Sequence, residues 1–341
     1  MRELENILLY LRGSDVMSLI IAGDVVPYNK DIKLFKDGNL KKLLKGELYD
    51  IWNNSQHKVF NLEAPLINEG IPIIKCGPNL KIDEDCIFGI KKMNPSIVCL
   101  ANNHIMDYGV EGLNKTINLL NENMINFVGI GKNIESLKKY EILSVDNKKV
   151  ALLNVCENEF SVSSYSEAGT YGYDEGNVVN ELLELKKKND YAVVIYHGGK
   201  EHYRYPSPLL QKRCRLLSDF GADLVICQHS HCIGCMEKYN NTTIVYGQGN
   251  FLFNKYNNEF WNNSLIINVS FKDNIDIDYI PITKCDDGIK IPEKNNYDEI
   301  LSDFYKRSNE IKKNNFIYDN YNKYSKEMLK NYLIGIHNSN F

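Results

Sequence analysis

The chain has 341 residues, 43% hydrophobic and 25% charged, the balance of a folded globular protein and not of a disordered one. A net charge of −4 and a pI near 6.0 supply no general pull toward nucleic acid or acidic lipid, so no nucleic-acid partner is expected. No run approaches the ~18 apolar residues of a membrane span and no secretory signal is read, while the nine cysteines sit mostly in apolar runs as free thiols; a cytoplasmic protein without a disulfide framework is expected.

An amphipathic stretch, Leu4–Leu11, opens the chain. Short apolar runs rich in β-branched residues then predict strands over Ser18–Gly23, Lys58–Leu62, Ile97–Ala101, Phe127–Ile130 and Val150–Cys156. Between them, helical spacing predicts helices over Leu40–Trp52, Asp83–Lys92 and Gly112–Asn123. Helix Val178–Lys188, strand Tyr191–Tyr196, helix Ser207–Phe220 and strand Asp223–Cys227 follow. Such alternation predicts a largely parallel sheet with helical crossovers. Extended runs over Thr243–Tyr246, Leu265–Phe271 and Ile275–Ile282 read as antiparallel strands that close a sandwich of mixed sheets with outer helices. From about Asp286 the composition turns to Asn, Lys and Tyr at helical spacing, as in Ile300–Lys312 and Tyr324–Ile334. The expected division is an α/β domain over 1–285 and a helical C-terminal extension over 286–341.

The apolar strand candidates run into polar residues able to bind metal. Ser-Leu-Ile-Ile-Ala-Gly leads to Asp24, Val-Phe-Asn-Leu to Glu63, and Ile-Val-Cys-Leu-Ala to Asn102, Asn103 and His104. Val-Val-Ile-Tyr leads to His197, and Leu-Val-Ile-Cys-Gln to His229-Ser-His231. Ligand sites in parallel α/β sheets lie beyond the carboxyl ends of the strands, where the loops converge. Imidazoles mixed with carboxylates suit Zn, Mn or Fe, whereas calcium would take oxygens alone. In a loop, the two rings of His229 and His231 can reach different ions, and Asp24 and Glu63 can supply a terminal and a bridging carboxylate. Asn103 and His104 diverge, so that one can bind metal while the other faces the substrate as a general acid, with Asp107 placed to orient the imidazole.

These motifs resemble the CapA capsule-biosynthesis family (poly-γ-glutamate synthesis protein), a branch of the calcineurin-like metallophosphoesterase fold. The resemblance is carried by Ala22-Gly-Asp24, Asn61-Leu-Glu63, Ala101-Asn-Asn103-His104 with Asp107 and Gly109, and His197-Gly-Gly-Lys-Glu201. It continues through Gly221-Ala-Asp-Leu-Val-Ile, His229-Ser-His231 and Tyr246-Gly-Gln-Gly-Asn250-Phe251, so that the motifs lie within residues 18–253. It implies a four-layer α/β/β/α sandwich of two mixed sheets and a site for two divalent transition metals. Asp24, Glu63, Asn103, His197, His229 and His231 are the implied ligands, and His104 with Asp107 the catalytic pair. Three departures stand out: Val26 occupies the histidine position of the usual Asp-x-His, Glu63 stands where Asp is usual, and Gly198 replaces a Trp, opening space beside His197.

The leading expectation is a metal-dependent hydrolase of a phosphate mono- or diester, acting on a small-molecule or polymer substrate that carries phosphate or γ-glutamyl groups. An amide or γ-glutamyl hydrolase or transferase, and a non-catalytic scaffold of a polymer synthesis complex, are the alternatives. Glu201 is placed as a substrate contact; Asn250 either does the same or caps the turn after Gly249. His57, His202 and His337 read as surface residues, with His202 the exception to watch beside Glu201. Arg204, Arg213 and Arg215 read as solvated, Asp223 as a strand-entry residue, and Cys232-x-x-Cys235 as part of a strand and not a zinc pair.

Overall fold

The structure, a computed structural model, describes residues 19–338 except 273, with side chains described through residue 330. The expected amphipathic stretch 4–11 lies outside the described residues, as does the side chain of His337. The strands that matter for the site are β1 (Leu19–Val25), β2 (His57–Leu62), β3 (Ile97–Cys99), β4 (Lys148–Cys156), β5 (Tyr191–His197), β6 (Leu224–Gln228), β7 (Thr242–Val245), β8 (Asn250–Leu252), β9 (Asn263–Phe271) and β10 (Ile275–Lys284). The longer helices are α1 (Gly109–Glu122), α2 (Glu175–Lys188), α3 (Pro208–Asp219), α4 (Lys294–Glu310) and α5 (Phe316–Asn338).

Among the described residues two large sheets form. In the larger, β10, β9, β1, β2 and β3 lie side by side, and β8 pairs with β1; in the smaller, β7, β6, β5 and β4 are neighbours. Strands β1, β2 and β3 run parallel, as do β4, β5, β6 and β7. Their near-continuous apolar runs follow from burial on both faces. Along β1, Leu19 and Ile21 point between the sheets while Ile20 and Ala22 point to the outer core; along β5, Val193 and Ile195 point inward while Val194 and Tyr196 point outward. Three apolar layers result: one between the sheets, one beneath α1 and the short helices near it, and one beneath α2 and α3. They separate four layers in the order α/β/β/α, and the helical C-terminal region is present as α4 and α5.

Several predicted elements change at their edges, each for a local reason. The helix predicted over Leu40–Trp52 is two, Leu40–Leu43 and Glu47–Asn54, because Gly46 adopts φ +59° between them. The strand predicted over Phe127–Ile130 divides at Gly129, φ +97°, with its halves in different sheets. Strand β7, expected to be antiparallel, is so only toward Met236–Tyr239 on its outer side and runs parallel to β6, whereas β9 and β10 pair antiparallel as expected. Helix α3 begins where predicted because Ser207 caps it, its side chain accepting from Leu210 N, and Pro208 occupies the first turn. The strand Tyr140–Val145, absent from the sequence reading, pairs with β4 across Asp146 and Asn147, both at positive φ, a two-residue hairpin.

Candidate metal centre

The parallel strands of both sheets end at one edge, and that edge carries the polar residues. Asp24 lies within β1 opposite Asn61 of β2; Glu63 follows β2; His197 ends β5 opposite Gln228; His229 follows β6. The larger sheet therefore supplies the carboxylates and the smaller sheet the imidazoles. His229 and His231 adopt φ +88° and +54°, conformations that side chains other than glycine rarely take. This contorted loop sends the two rings to different neighbours.

Two groups of donor atoms form. Ligand atoms of Glu63, His197 and His229 lie within 4.8 Å of one another, and so do those of Asp24, Glu63 and His231. Glu63 belongs to both. Asn103 joins the first group, its Oδ1 3.0 Å from His197 Nε2, which is 3.2 Å from Glu63 Oε1. Asn250 joins the second, its Oδ1 2.8 Å from His231 Nδ1, which is 3.6 Å from Asp24 Oδ2.

An amide relay fixes Asp24. Asn102 is oriented by the backbone: its Oδ1 accepts from His104 N and Ile105 N, and its Nδ2 donates to Leu62 O and Asn61 Oδ1. That leaves Asn61 Nδ2 to donate to Asp24 Oδ1 at 2.8 Å, so no flip of either amide is available.

The donor set fits divalent ions. Both oxygens of Glu63 and Nδ1 of His229 are buried with no hydrogen-bond partner among the described residues, in a chain where nearly every buried polar atom should have one. A buried carboxylate that accepts no hydrogen bond and faces imidazoles is the arrangement that a cation satisfies, and mixed oxygen and nitrogen donors suit transition metals.

The electrostatics follow from carboxylates and imidazoles buried together. Burial, reinforced by Asp24, pushes the Glu63 carboxyl well above its ordinary value. Burial also acts to raise Asp24, but the close approach of the His231 and His197 imidazoles and the Asn61 hydrogen bond hold it below the ordinary value. His231 is lifted to about 9 because Glu63 and Asp24 outweigh burial, whereas burial draws His197 down to about 4 and His229 well below the imidazole range.

His104 lies beside this cluster but makes different contacts. Its Nδ1 is 2.6 Å from Asp107 Oδ2, and nothing among the described residues hydrogen-bonds its Nε2. Burial lowers its pKa against the pull of Asp107. Asp107 also accepts from Leu80 N at 2.6 Å and pairs through its other oxygen with Lys75, itself 3.1 Å from His104 Nδ1. Asp107 and the Lys75 side chain are both buried, so each charge needs the other.

The sequence reading missed Lys75, which sits in a loop without periodicity. It also missed the aromatic wall beside His231, whose ring is 4.5 Å from that of Trp261 and 5.5 Å from that of Phe253. His202, read as a surface residue, belongs to this wall: its Nε2 accepts from Trp261 Nε1 at 2.7 Å and its ring stacks on Phe260. A tryptophan, of which the chain has only two, inside an Asn-rich segment was the available signal.

Of the remaining expectations, those for Gly198, the arginines and His57 change, while Asp223 stands at strand entry as expected. Gly198 does not open space beside His197: a Cβ there would lie 2.4 Å from Glu157 Cγ, so Glu157 fills it. The arginines read as solvated have partners: Arg213 pairs with Glu157, Arg215 with Glu237, and Arg204 donates to Ile233 O and Glu259 O. His57 is half-buried, with contacts to Ser96 Oγ and Ser144 O. Glu201 is exposed in the turn after β5, with its charge felt at Glu63 and His231. Asp223 accepts from Ala192 N at strand entry. Cys232 and Cys235 are buried free thiols.

The family profile of the bacterial capsule synthesis protein PGA_cap matches residues 18–255. The PGA biosynthesis protein CapA of Bacillus subtilis (strain 168) is 29% identical over 180 residues, 52% of this chain and 47% of that protein. The capsule biosynthesis protein CapA of Bacillus anthracis is 27% identical over 211 residues, 59% of this chain and 51% of that protein. The chain thus spans about half the length of the curated relatives it matches. A crystal structure of a Staphylococcus aureus protein assigned as a 5'-nucleotidase, in complex with alpha-ketoglutarate, superposes with a TM-score of 0.52 at 15% identity, covering 85% of this chain and 58% of that one. That likeness is one of fold, and it bears out the sandwich of mixed sheets expected from the sequence. Among the described residues, no helix is long and apolar enough to cross a membrane.

Proposed function

The chain belongs to the bacterial capsule synthesis protein family PGA_cap, and from that premise we propose that it is a two-metal phosphoester hydrolase acting in capsule or poly-γ-glutamate metabolism. The observation that carries the reading is Glu63, fully buried, accepting no hydrogen bond at either oxygen, 3.2 Å from His197 Nε2 through Oε1, and shared by two donor groups. In this reading Glu63 would be shared by two divalent ions, with Asn103, His197 and His229 available to hold one and Asp24 and His231 the other. When bound, such a pair of ions supplies Lewis-acid charge to a phosphoryl group and an activated water.

The remaining residues have separate tasks. Asn61 holds the Asp24 carboxylate through its amide. Asp107 fixes the His104 ring through Nδ1, leaving Nε2 as the atom that passes a proton to the leaving oxygen. Lys75 balances the Asp107 charge, so that the carboxylate orients the ring without adding a net negative charge next to an anionic substrate. Trp261, Phe253 and His202 border the His231 side, and Glu201 is a candidate substrate contact there.

The test is turnover by chelator-stripped protein resupplied with Mn or Zn. Nitrophenyl phosphate and bis-nitrophenyl phosphate represent mono- and diesters, and a γ-glutamyl anilide represents the amide alternative. Metal-dependent release from a phosphate ester is expected. Release from the anilide alone would replace phosphoester by amide chemistry, and no release from any of them would favour a scaffold.

A further inference from the structure

Val26 leaves the second donor group a ligand short, and the neighbouring strand offers a replacement. Val26 is apolar and buried in the core on the outer face of the larger sheet, so its side chain supplies no donor. Strand β8 lies parallel to β1 with Asn250 in register with Asp24 itself. The approach is unusually close: a Cβ on Gly23 would lie 2.0 Å from Gly249 O, so only glycine fits, and Gly249 takes φ +78° as the chain enters β8. Two glycines thereby set the Asn250 side chain beside the Asp24 carboxylate.

The contacts of Asn250 repeat those of Asn103. On one side of Glu63, Asn103 Oδ1 lies 3.0 Å from His197 Nε2; on the other, Asn250 Oδ1 lies 2.8 Å from His231 Nδ1. Each half of the site thus has an imidazole nitrogen and an amide oxygen converging beside the shared carboxylate. Asn250 is also buried, and its Nδ2 has no partner among the described residues. A turn cap would engage the backbone, and neither atom of this amide does so. We propose that Asn250 Oδ1 is a ligand of the second metal, completing a set with Asp24, Glu63 and His231 where the usual histidine is replaced by Val26. The inference rests on the two-metal reading above.

Calorimetric titration of the chelator-stripped full chain with Mn2+ tests it without reference to turnover. The unsubstituted chain should take up two ions. Asn250→Ala should keep the first at unchanged affinity and weaken the second by about 100-fold or more, since losing a ligand should cost at least what losing a residue behind a ligand does. Asn250→Asp, which keeps the oxygen and adds a charge, should retain two ions and tighten the second. If two ions bind to the parent and to both variants with equal affinity, Asn250 is not a ligand although the two-metal reading survives, and a raised KM in Asn250→Ala would then return it to the substrate. If the parent takes up fewer than two, that reading fails and this inference falls with it. Should Asn250→Ala not fold, Asn250→Asp decides alone, an unchanged second affinity overturning the assignment.

Discussion

Glu63→Gln is expected to strip both metals at once. The substitution keeps the shape of the side chain and removes only its charge and one acceptor. Because Glu63 lies within 4.8 Å of ligand atoms in both donor groups, the loss falls on both sides of the site, unlike His197→Ala or His231→Ala, each of which touches one. Phosphoester turnover should drop by several kcal/mol of transition-state stabilisation, about 10³-fold or more, the order of a Lewis-acid contribution. The fold should survive. In excess chelator the variant should melt no lower than the parent, since a buried carboxylate that accepts no hydrogen bond is costlier to fold than a neutral amide. A large fall in melting temperature under chelation would make Glu63 a structural residue; metal analysis showing two ions retained would remove it from the centre altogether.

His104→Ala should do the opposite: metal content stays at the parent's level while turnover falls by about 10²–10⁴, the usual contribution of a positioned proton carrier. Its ring contacts Asp107 and Lys75 and belongs to neither donor group. The loss should be large for an alkyl phosphate, whose leaving alkoxide needs a proton, and small for nitrophenyl phosphate, whose leaving group is already stable. Equal losses on both esters, or loss of metal, would make His104 a structural residue or a ligand.

The fold was legible where burial dictates composition. Runs such as Leu19–Ala22 and Ala192–Ile195 can be apolar on both faces only inside a covered parallel sheet, and a residue such as Asp24 or His197 ending such a run stands out against it. What the sequence hid depends on conformations with little signature. The Gly46 break and the Gly129 divide require positive φ at single glycines, which a helical or apolar pattern reads straight through. The Asp146-Asn147 hairpin turn carried a usable signal, but Tyr140–Val145 is exposed at alternate positions and its apolar residues are interrupted by Glu141 and Ser144. Lys75 was unreadable for another reason. It matters through Asp107, 32 positions away by residue number, and nothing local marks a lysine whose ammonium is buried. Gly198 shows the converse hazard: a small residue read as a gap, although a side chain from a different strand end, Glu157, fills it.

The most direct test of the two-metal account is anomalous diffraction from crystals of the unsubstituted protein soaked in Mn2+, recorded on both sides of the manganese absorption edge. The account predicts two peaks about 3.5–4 Å apart astride the Glu63 carboxylate, one beside His197 and His229, the other beside Asp24 and His231. A single peak, or a pair that Glu63 does not bridge, would contradict it.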